Sequence, residues 1–351
     1  MPGFCSARPM VLFWERIHGD DPDTPEHRAR ETYGSPMSIA FLFPGQGSQV
    51  AGMLHALPDH PAVARTLREA SEAYGDDIRA IDTPDALRST ICAQLALLTT
   101  GVSVARALLQ ESVRPAALAG LSVGAFGAAV VSGALSMTDA VRIVRQRAEK
   151  MVQLFPHGYG LGVIVGISES RVHAWVAAVA AKDPEIFLAN VNSPSQMVVG
   201  GSLHAIDAVL RLARTAGARR AEVLSVPVPS HGPLLEPVEA AVRMEMPLGR
   251  MHHPRIPCIG NVNTDLLRTR EAIAEDLARS IAHQVRWHRM TMVLRELGCD
   301  LYLEMPPGHV LSDLSREAAP DIRTLALGDG SLSDATYLAC VNASNSGCER
   351  N

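Results

Sequence analysis

The sequence predicts an α/β protein that combines a parallel sheet with a smaller inserted unit, and three observations support this prediction. Short apolar runs alternate with segments of helical periodicity over most of the chain. One interval departs from this alternation and follows a β-α-β-β-α-β order. Aromatic residues make up only 4% of the 351 residues, whereas hydrophobic residues make up 47%. This composition favours a helix-and-strand enzyme over an all-β shell.

The large unit is predicted from the segments on both sides of that interval. Apolar runs bounded by turn residues predict strands at 39–43, 115–119, 256–259 and 301–304. Helical spacing predicts helices at 62–74, 91–109, 137–155 and 273–283. Such alternation builds a parallel sheet flanked by helices, so residues 37–156 and 227–326 are predicted to form one large domain.

The interval 157–226 is predicted to form a ferredoxin-like subdomain inserted into the large domain. Its expected strands are 161–167, 186–190, 197–201 and 221–226, and its expected helices are 169–181 and 203–216. Residues 1–36 mix Pro, Asp, Arg and Gly without a sustained period, and are predicted to be a disordered extension. Residues 327–351 lose charge and gain Gly, Ser and Asn, which is typical of a tail.

Charge, cysteine spacing and glycine content exclude several classes of protein. A net charge of -5 argues against a nucleic-acid-binding surface. The six cysteines are far apart and form no C-x-x-C pair, so we expect no metal cluster and no disulfides, as in a cytoplasmic protein. Residues 115–135 are uncharged and long enough to span a bilayer, but their glycines predict strand, turn and helix instead of a membrane span.

The segment Gly120-Leu-Ser122-Val-Gly124 matches the G-x-S-x-G pattern and lies between a predicted strand and an Ala-rich helix. Glycines in this pattern allow a sharp turn that exposes the serine hydroxyl at a helix N-terminus. Backbone N–H groups at that terminus stabilise an oxyanion. Ser122 is therefore a candidate nucleophile, and the alternative is an ordinary strand-to-helix turn with a serine cap.

His231 is the candidate base for this serine. It follows a predicted strand in the loop sequence Val-Pro-Ser-His-Gly-Pro, where an imidazole can take the Ser122 proton and return it to a leaving thiolate. The alternative is a solvated loop histidine.

The sequence around Gln46 resembles a dinucleotide-binding turn, but the third glycine is replaced by Val50. Flanking glycines instead suit a backbone N–H that approaches a reacting carbonyl.

Arg147 lies beside the apolar face of the predicted helix 137–155, between Val144 and Met151. Ser136 and Asp139 have capping-box spacing at the start of this helix. An arginine so close to an apolar face requires an anionic partner if it is buried. It is a candidate clamp for a substrate carboxylate, and the alternatives are a snorkelling side chain or an internal salt bridge.

These segments occur together and in order in one family, the malonyl-CoA:acyl-carrier-protein transacylases, which the chain resembles from about residue 37 to 314. The matching segments are 43–49, Gln94 in its apolar helix, 120–124, 147–151, 190–196, 228–231, 285–287 and 304–311. The resemblance implies an α/β-hydrolase-like large domain with a ferredoxin-like insert. It implies no resident cofactor or metal, and malonyl-CoA and an acyl carrier protein as substrates.

The resemblance also implies a role for each site residue. Ser122 would carry the malonyl group, and His231 would act as base and acid, held by the main-chain carbonyl of Ser280. The N–H groups of Gln46 and Val123 would form the oxyanion hole. Arg147 would bind the malonyl carboxylate. Gln94, Asn192 and Leu121 would line the substrate pocket. A phosphopantetheine-type thiol on the carrier would then accept the acyl group in a ping-pong reaction.

Two departures from the family motif indicate a branch. Leu121 and Ala125 occupy the places where a histidine and a glutamate are usual. The variant Gly-Leu-Ser-Val-Gly-Ala-Phe resembles the epsilon subunit of malonate decarboxylase, which implies a dedicated carrier subunit as acceptor and other decarboxylase subunits as partners.

The alternatives are a malonyl transacylase of fatty-acid synthesis, a docking subunit without activity, and an α/β-hydrolase esterase. The esterase would use Asp183 or Asp207 as its acid.

Overall fold

Two β-sheets organise the chain in the computed structural model, which describes residues 38–328 and 332–344. The larger sheet contains β1 (Ser38–Phe43), β2 (Pro115–Gly120), β7 (Cys258–Ile259), β8 (Leu266–Leu267), β9 (Cys299–Glu304) and β10 (Arg323–Ala326). Its order is β10-β9-β1-β2-β7-β8. All neighbours pair in parallel except β7 and β8, which are antiparallel. The α/β class with a parallel sheet is confirmed.

The helices of the large unit connect these strands. They are α1 (Pro61–Tyr74), α2 (Thr90–Gln110), α3 (Gly124–Val131), α4 (Met137–Leu154), α7 (Glu236–Glu245), α8 (Arg270–Arg279), α9 (Trp287–Glu296) and α10 (Val310–Ala318). Short 3-10 turns occur at Ile78–Ile81, Ala86–Arg88 and Pro233–Leu235. Ser136 caps α4 as the spacing predicted: its hydroxyl accepts a hydrogen bond from the Asp139 N–H at 3.0 Å and donates one to the Asp139 carboxylate at 2.9 Å.

The smaller sheet is antiparallel and contains β3 (Tyr159–Val165), β4 (Ile186–Val191), β5 (Gln196–Ser202) and β6 (Arg220–Val223), in the order β4-β5-β3-β6. Helices α5 (Glu169–Ala180) and α6 (Leu203–Thr215) complete the predicted β-α-β-β-α-β order. Apolar side chains from this sheet and both helices form a separate core, centred on Ile164, Val199 and Ile206. Chain order and strand order together match a ferredoxin-like unit.

Helix α2 is the one helix of the described residues that is long and apolar enough to cross a membrane. However, 83% of its most apolar window is buried within the protein. It packs beside α1, α3 and α4, which is the position of a core helix. The uncharged stretch 115–135 forms β2, a turn and α3, as its glycines predicted.

Several elements differ from the predicted bounds, and three of them bear on the fold. Helix α8 begins earlier than predicted because the Thr269 side chain caps it, and it ends at Arg279, before the predicted residue 283. Strand β7 is only two residues long. Within the predicted tail, Leu332–Ser344 form a helix, α11, where Leu332 packs on Ala62, Val63 and Ala107. The predicted extension 1–36 lies outside the described residues.

The order of the parallel strands decides where the loops meet. Strands β1, β2 and β7 are neighbours, so the segments that follow Phe43, Gly120 and Ile259 leave the same edge of the sheet. Ligands bind at the carboxyl edge of open α/β sheets. Ser122 and Gln46 therefore lie on adjacent loops although 75 residues separate them in the sequence.

Candidate active site

Ser122 occupies a sharp turn between β2 and α3. Its backbone has a φ of 56°, a left-handed conformation that is rare for residues other than glycine. The flanking glycines make the turn possible, since a Cβ on Gly120 would lie 2.2 Å from the carbonyl carbon of Gly124, and a Cβ on Gly124 would lie 2.2 Å from the carbonyl oxygen of Phe43. No side chain fits at either place, so the turn requires both glycines.

His231 faces Ser122 and is held in a single orientation. Its Nε2 lies 2.8 Å from the Ser122 Oγ, and its Nδ1 hydrogen-bonds to the main-chain carbonyl of Ser280. A carbonyl can only accept, so Nδ1 carries the proton and Nε2 is free to accept the hydroxyl proton. The His231 N–H also donates to the Ile281 carbonyl at 2.9 Å, and fixes a backbone whose φ is 66°.

The surroundings of His231 keep its ring neutral. The side chain is 3% exposed, and this burial, followed by the positive charge of Arg147, lowers the pKa of His231 to about 3. The hydrogen bond to Ser280 raises the pKa of His231, but by less than burial and Arg147 lower it. The imidazole is therefore in its basic form at neutral pH.

Arg147 extends from α4 into the same space and is only 2% exposed. Its Nη2 donates to the Ser122 Oγ at 3.1 Å and its Nη1 donates to the Gln94 Oε1 at 2.5 Å. Burial lowers the pKa of Arg147 to about 10, so the guanidinium stays charged at neutral pH. Its Nε has no hydrogen-bond partner, and no carboxylate among the described residues offsets its charge.

Gln94 and Gln46 extend this contact into the loop after β1. The Gln94 Nε2 donates to the Gln46 Oε1 at 3.1 Å and lies 3.9 Å from the Met151 Sδ. Gln46 in turn donates to the Thr90 Oγ1 at 3.4 Å. A chain of polar side chains thus links the buried guanidinium to the glycine-flanked loop.

The N–H groups of Gln46 and Val123 are both available to a ligand. Neither N–H donates a hydrogen bond within residues 38–328 and 332–344, whereas the N–H groups of Gly124 and Ala125 donate to Leu121 and Ser122. Val123 directly precedes the N-terminus of α3, where the helix dipole favours negative charge. The two amides lie on the adjacent loops that follow β1 and β2.

Asn192 and Leu121 have less direct connections to this group. Asn192 is buried after β4, its N–H donates to the Gln196 carbonyl at 2.9 Å, and its Oδ1 has no partner. The structure gives it no hydrogen bond to Ser122 or His231. The Leu121 side chain packs against the core of the larger sheet, and its N–H donates to the Phe43 carbonyl at 2.9 Å.

Asn261 is a site residue that the sequence analysis missed. Its side chain is fully buried, and it hydrogen-bonds to the main chain on both sides of Leu121. The available signal was its place two residues after a predicted parallel strand, where polar residues reach the carboxyl edge of the sheet. In the part of the chain that the structure describes, no three metal-ligating side chains come together.

Comparison with known proteins gives a consistent result. Residues 40–326 match the model of the acyl transferase domain family. The chain belongs to this acyl transferase family. It is 33% identical over 299 residues to the malonyl CoA-acyl carrier protein transacylase of Escherichia coli K12, and the match covers 84% of this chain and 96% of that one.

Two solved structures extend the match to three dimensions. The acyl-carrier-protein S-malonyltransferase of Burkholderia pseudomallei has a TM-score of 0.80 at 33% identity, covering 86% of this chain and 100% of that one. A malonyl-transacylase in complex with a type II polyketide synthase acyl-carrier protein has a TM-score of 0.81 at 31% identity, covering 86% and 99%. The resemblance to malonyl-CoA:acyl-carrier-protein transacylases is confirmed, and the chain is an acyltransferase.

In this acyl transferase the esterase alternative has no geometric support. Asp183 contacts Ser202 and His204, and Asp207 pairs with arginines on α6. Neither aspartate contacts His231, whose Nδ1 is already bonded to a main-chain carbonyl. His231 is therefore oriented without a carboxylate, unlike the base of a Ser-His-Asp hydrolase.

Proposed function

We propose that this acyltransferase transfers a malonyl group from malonyl-CoA to the thiol of an acyl carrier protein through an acyl-serine on Ser122. The observation that carries the proposal is the buried guanidinium of Arg147, whose Nη2 lies 3.1 Å from the Ser122 Oγ. A buried cation without a protein counter-charge is costly and is stabilised by an anionic ligand. A malonyl group bound as a thioester has one free carboxylate, which a guanidinium binds through two parallel hydrogen bonds.

The first half-reaction uses the pair formed by Ser122 and His231. The Ser122 Oγ attacks the thioester carbonyl while its proton passes to the His231 Nε2, 2.8 Å away. The N–H groups of Gln46 and Val123 are available to bind the negative oxygen of the tetrahedral intermediate. When this intermediate collapses, the C–S bond breaks and His231 returns the proton to the coenzyme A thiolate.

The second half-reaction repeats these steps with a new nucleophile. The carrier's phosphopantetheine-type thiol gives its proton to the His231 Nε2 and attacks the acyl-serine. The ester bond then breaks, and Ser122 recovers a proton from His231. Gln94 orients Arg147 through its Oε1, while Leu121 and Asn192 line the pocket. No resident cofactor takes part in either step.

For the acceptor we propose the carrier subunit of malonate decarboxylase, with other decarboxylase subunits as partners in the cytoplasm. Leu121 and Ala125 support this acceptor because they replace the histidine and glutamate that are usual beside the nucleophile. The second candidate is the acyl carrier protein of fatty-acid synthesis, which is favoured by the likeness to transacylases named for an acyl carrier protein. Transfer rates measured with both carriers at equal concentration discriminate between the two acceptors.

Intact mass spectrometry tests the activity itself. Incubation with malonyl-CoA should add one malonyl group to Ser122, and a carrier thiol should remove it. Ser122→Ala should abolish the adduct, whereas Ser112→Ala serves as a control because Ser112 lies after α2, outside the site. Absence of an adduct on the unaltered protein would leave the docking subunit without activity as the remaining candidate.

A further inference from the structure

Asn261 uses both polar atoms of its side chain on the turn that carries Ser122. Its Oδ1 accepts the Ser122 N–H at 3.0 Å, and its Nδ2 donates to the Gly120 carbonyl at 3.0 Å. The side chain is 0% exposed, so water cannot replace either bond. Strand β2 ends at Gly120, and the sheet therefore offers no partner to the Ser122 N–H. One asparagine pairs both groups.

These two bonds stabilise a conformation that serine rarely adopts. A non-glycine residue with a φ of 56° persists only where its surroundings hold it. Without Asn261 the part-buried Ser122 N–H and the buried Gly120 carbonyl would both lose this partner, and the turn would relax toward an arrangement that pairs them. Any such relaxation moves the Ser122 Oγ relative to the His231 Nε2.

Asn261 is itself held by the carboxylate of Asp276 on α8. The Asp276 Oδ2 accepts the Asn261 N–H at 3.0 Å, and its Oδ1 accepts the Val262 N–H at 3.2 Å. Gly260 leaves room for this carboxylate, since a Cβ at that position would lie 2.9 Å from the Asp276 Oδ1. The Asn261 carbonyl accepts the Arg286 N–H at 3.1 Å.

The same helix also holds the base. Ser280 is the C-terminal cap of α8, and its carbonyl accepts the His231 Nδ1–H. Asp276 and Ser280 are four residues apart, so they lie one helical turn apart on one side of α8. The nucleophile and the base, 109 residues apart in the chain, are thus connected to consecutive turns of a single helix.

We propose that Asn261 and Asp276 are positioning residues, which act through the main chain of Ser122 and make α8 the common support of Ser122 and His231. Ser122 is the nucleophile in the proposed function, on which this inference rests. Neither positioning residue touches the reacting atoms. Their loss is therefore expected to lower the rate of acyl transfer and to leave substrate binding nearly unchanged.

Steady-state kinetics of Asn261→Ala separate these two effects. We expect kcat for malonyl transfer to fall by ~10- to 100-fold, since small misplacements of reacting groups have effects of that size. The KM for malonyl-CoA should stay within about twofold, because binding through Arg147 is retained. Asp276→Asn loses one of its two acceptors and should lower kcat by a smaller factor. The control is Asn263→Ala, an exposed asparagine in the same loop.

Asn261→Asp gives a signature that a purely structural role would not produce. An ionised aspartate accepts the Ser122 N–H but repels the Gly120 carbonyl, whereas a protonated aspartate restores both bonds. Its kcat relative to the unaltered protein should therefore rise as the pH is lowered from 8 to 6. This variant also decides the question if Asn261→Ala fails to fold.

A fluorophosphonate that forms a bond to activated serine hydroxyls, with loss of fluoride, provides a readout without malonyl-CoA. Labelling of Ser122 should slow in Asn261→Ala in parallel with kcat. An unchanged kcat and labelling rate in a folded Asn261→Ala variant, or a pH-independent Asn261→Asp, would show that Asn261 does not position Ser122. If Ser122 of the unaltered protein neither reacts with the probe nor takes up malonyl, the proposed function itself is wrong.

Discussion

Replacing Arg147 with alanine removes the positive charge beside Ser122 and keeps the Ser122 and His231 side chains. Two of its nitrogens are directed into the site: Nη2 at the Ser122 Oγ and Nη1 at Gln94. We expect these to hold the malonyl carboxylate, so Arg147→Ala should reduce the use of malonyl-CoA far more than the use of acetyl-CoA, which has no carboxylate.

The expected size follows from the number of bonds that are lost. A hydrogen bond to a charged group contributes about 1.5–3 kcal/mol, so two of them contribute about 3–6 kcal/mol. At about 1.4 kcal/mol per tenfold, kcat/KM for malonyl-CoA should fall by ~10²- to 10⁴-fold. For acetyl-CoA we expect a change below about tenfold, because the cost of an unpaired Gln94 Oε1 is countered by the loss of the positive charge that opposes the His231 imidazolium.

The assay measures initial rates of transfer from malonyl-CoA and from acetyl-CoA to the same carrier. Arg145→Ala is the matched control, since Arg145 lies on the same helix, is exposed, and pairs with Glu149 at 2.8 Å. Arg147→Lys keeps the charge but not the planar fork, and should recover only part of the malonyl rate. If Arg147→Ala keeps the original preference for malonyl over acetyl, Arg147 is not the carboxylate clamp.

Four further outcomes are expected. Because burial and Arg147 hold the pKa of His231 at about 3, kcat/KM should stay level below pH 6.5, whereas an acid limb near 6.5 would contradict a buried neutral base. In the unfolded chain this histidine binds a proton below pH 6.5, whereas folded His231 binds one only near pH 3. The free energy of unfolding should therefore fall as the pH is lowered from 6.5 to 3. Gly124→Ala should lower the thermal unfolding midpoint, because the added methyl group would clash with the Phe43 carbonyl at a cost of about 3 kcal/mol. Gly249→Ala is the control and should not lower it, since a Cβ at position 249 has open space around it. Replacing both Asp183 and Asp207 with asparagine should leave the rate of malonyl transfer nearly unchanged. A large loss of this rate would support an esterase that uses a Ser-His-Asp triad.

The parts of the fold that the sequence predicts are those with strong local signals. Apolar runs bounded by turn residues mark β1, β2 and β9 to within two residues, because these strands are buried. The N-cap residue Ser136 marks the start of α4. One helix and one helix end were less predictable. The helix Leu332–Ser344 has weak helical patterning in its sequence. Helix α8 ends at Arg279 because the following residues turn toward His231.

The candidate site divides in the same way. Ser122 and His231 can be identified as candidates from the glycines and prolines next to them in the sequence. No pattern of neighbouring residues identifies Asn261. Its partners are main-chain atoms 139 and 141 residues away, and they become neighbours only when β2 and β7 pair. The sequence can show which residue types are present after a strand, but the contacts depend on the order of the strands.

In the proposed function, the charge of Arg147 links recognition of the acyl group to proton transfer. Before substrate binds, this charge helps to keep His231 neutral, which is the form that accepts a proton. The same charge then opposes the imidazolium that forms when Ser122 loses its proton. A carboxylate bound to Arg147 offsets that opposition, so His231 becomes a stronger base only when the acyl group carries a negative charge. An acetyl group leaves the opposition in place. We therefore expect Arg147→Ala to remove both the proposed clamp for malonyl and the electrostatic barrier to acetyl, and the two effects should shift the preference in the same direction.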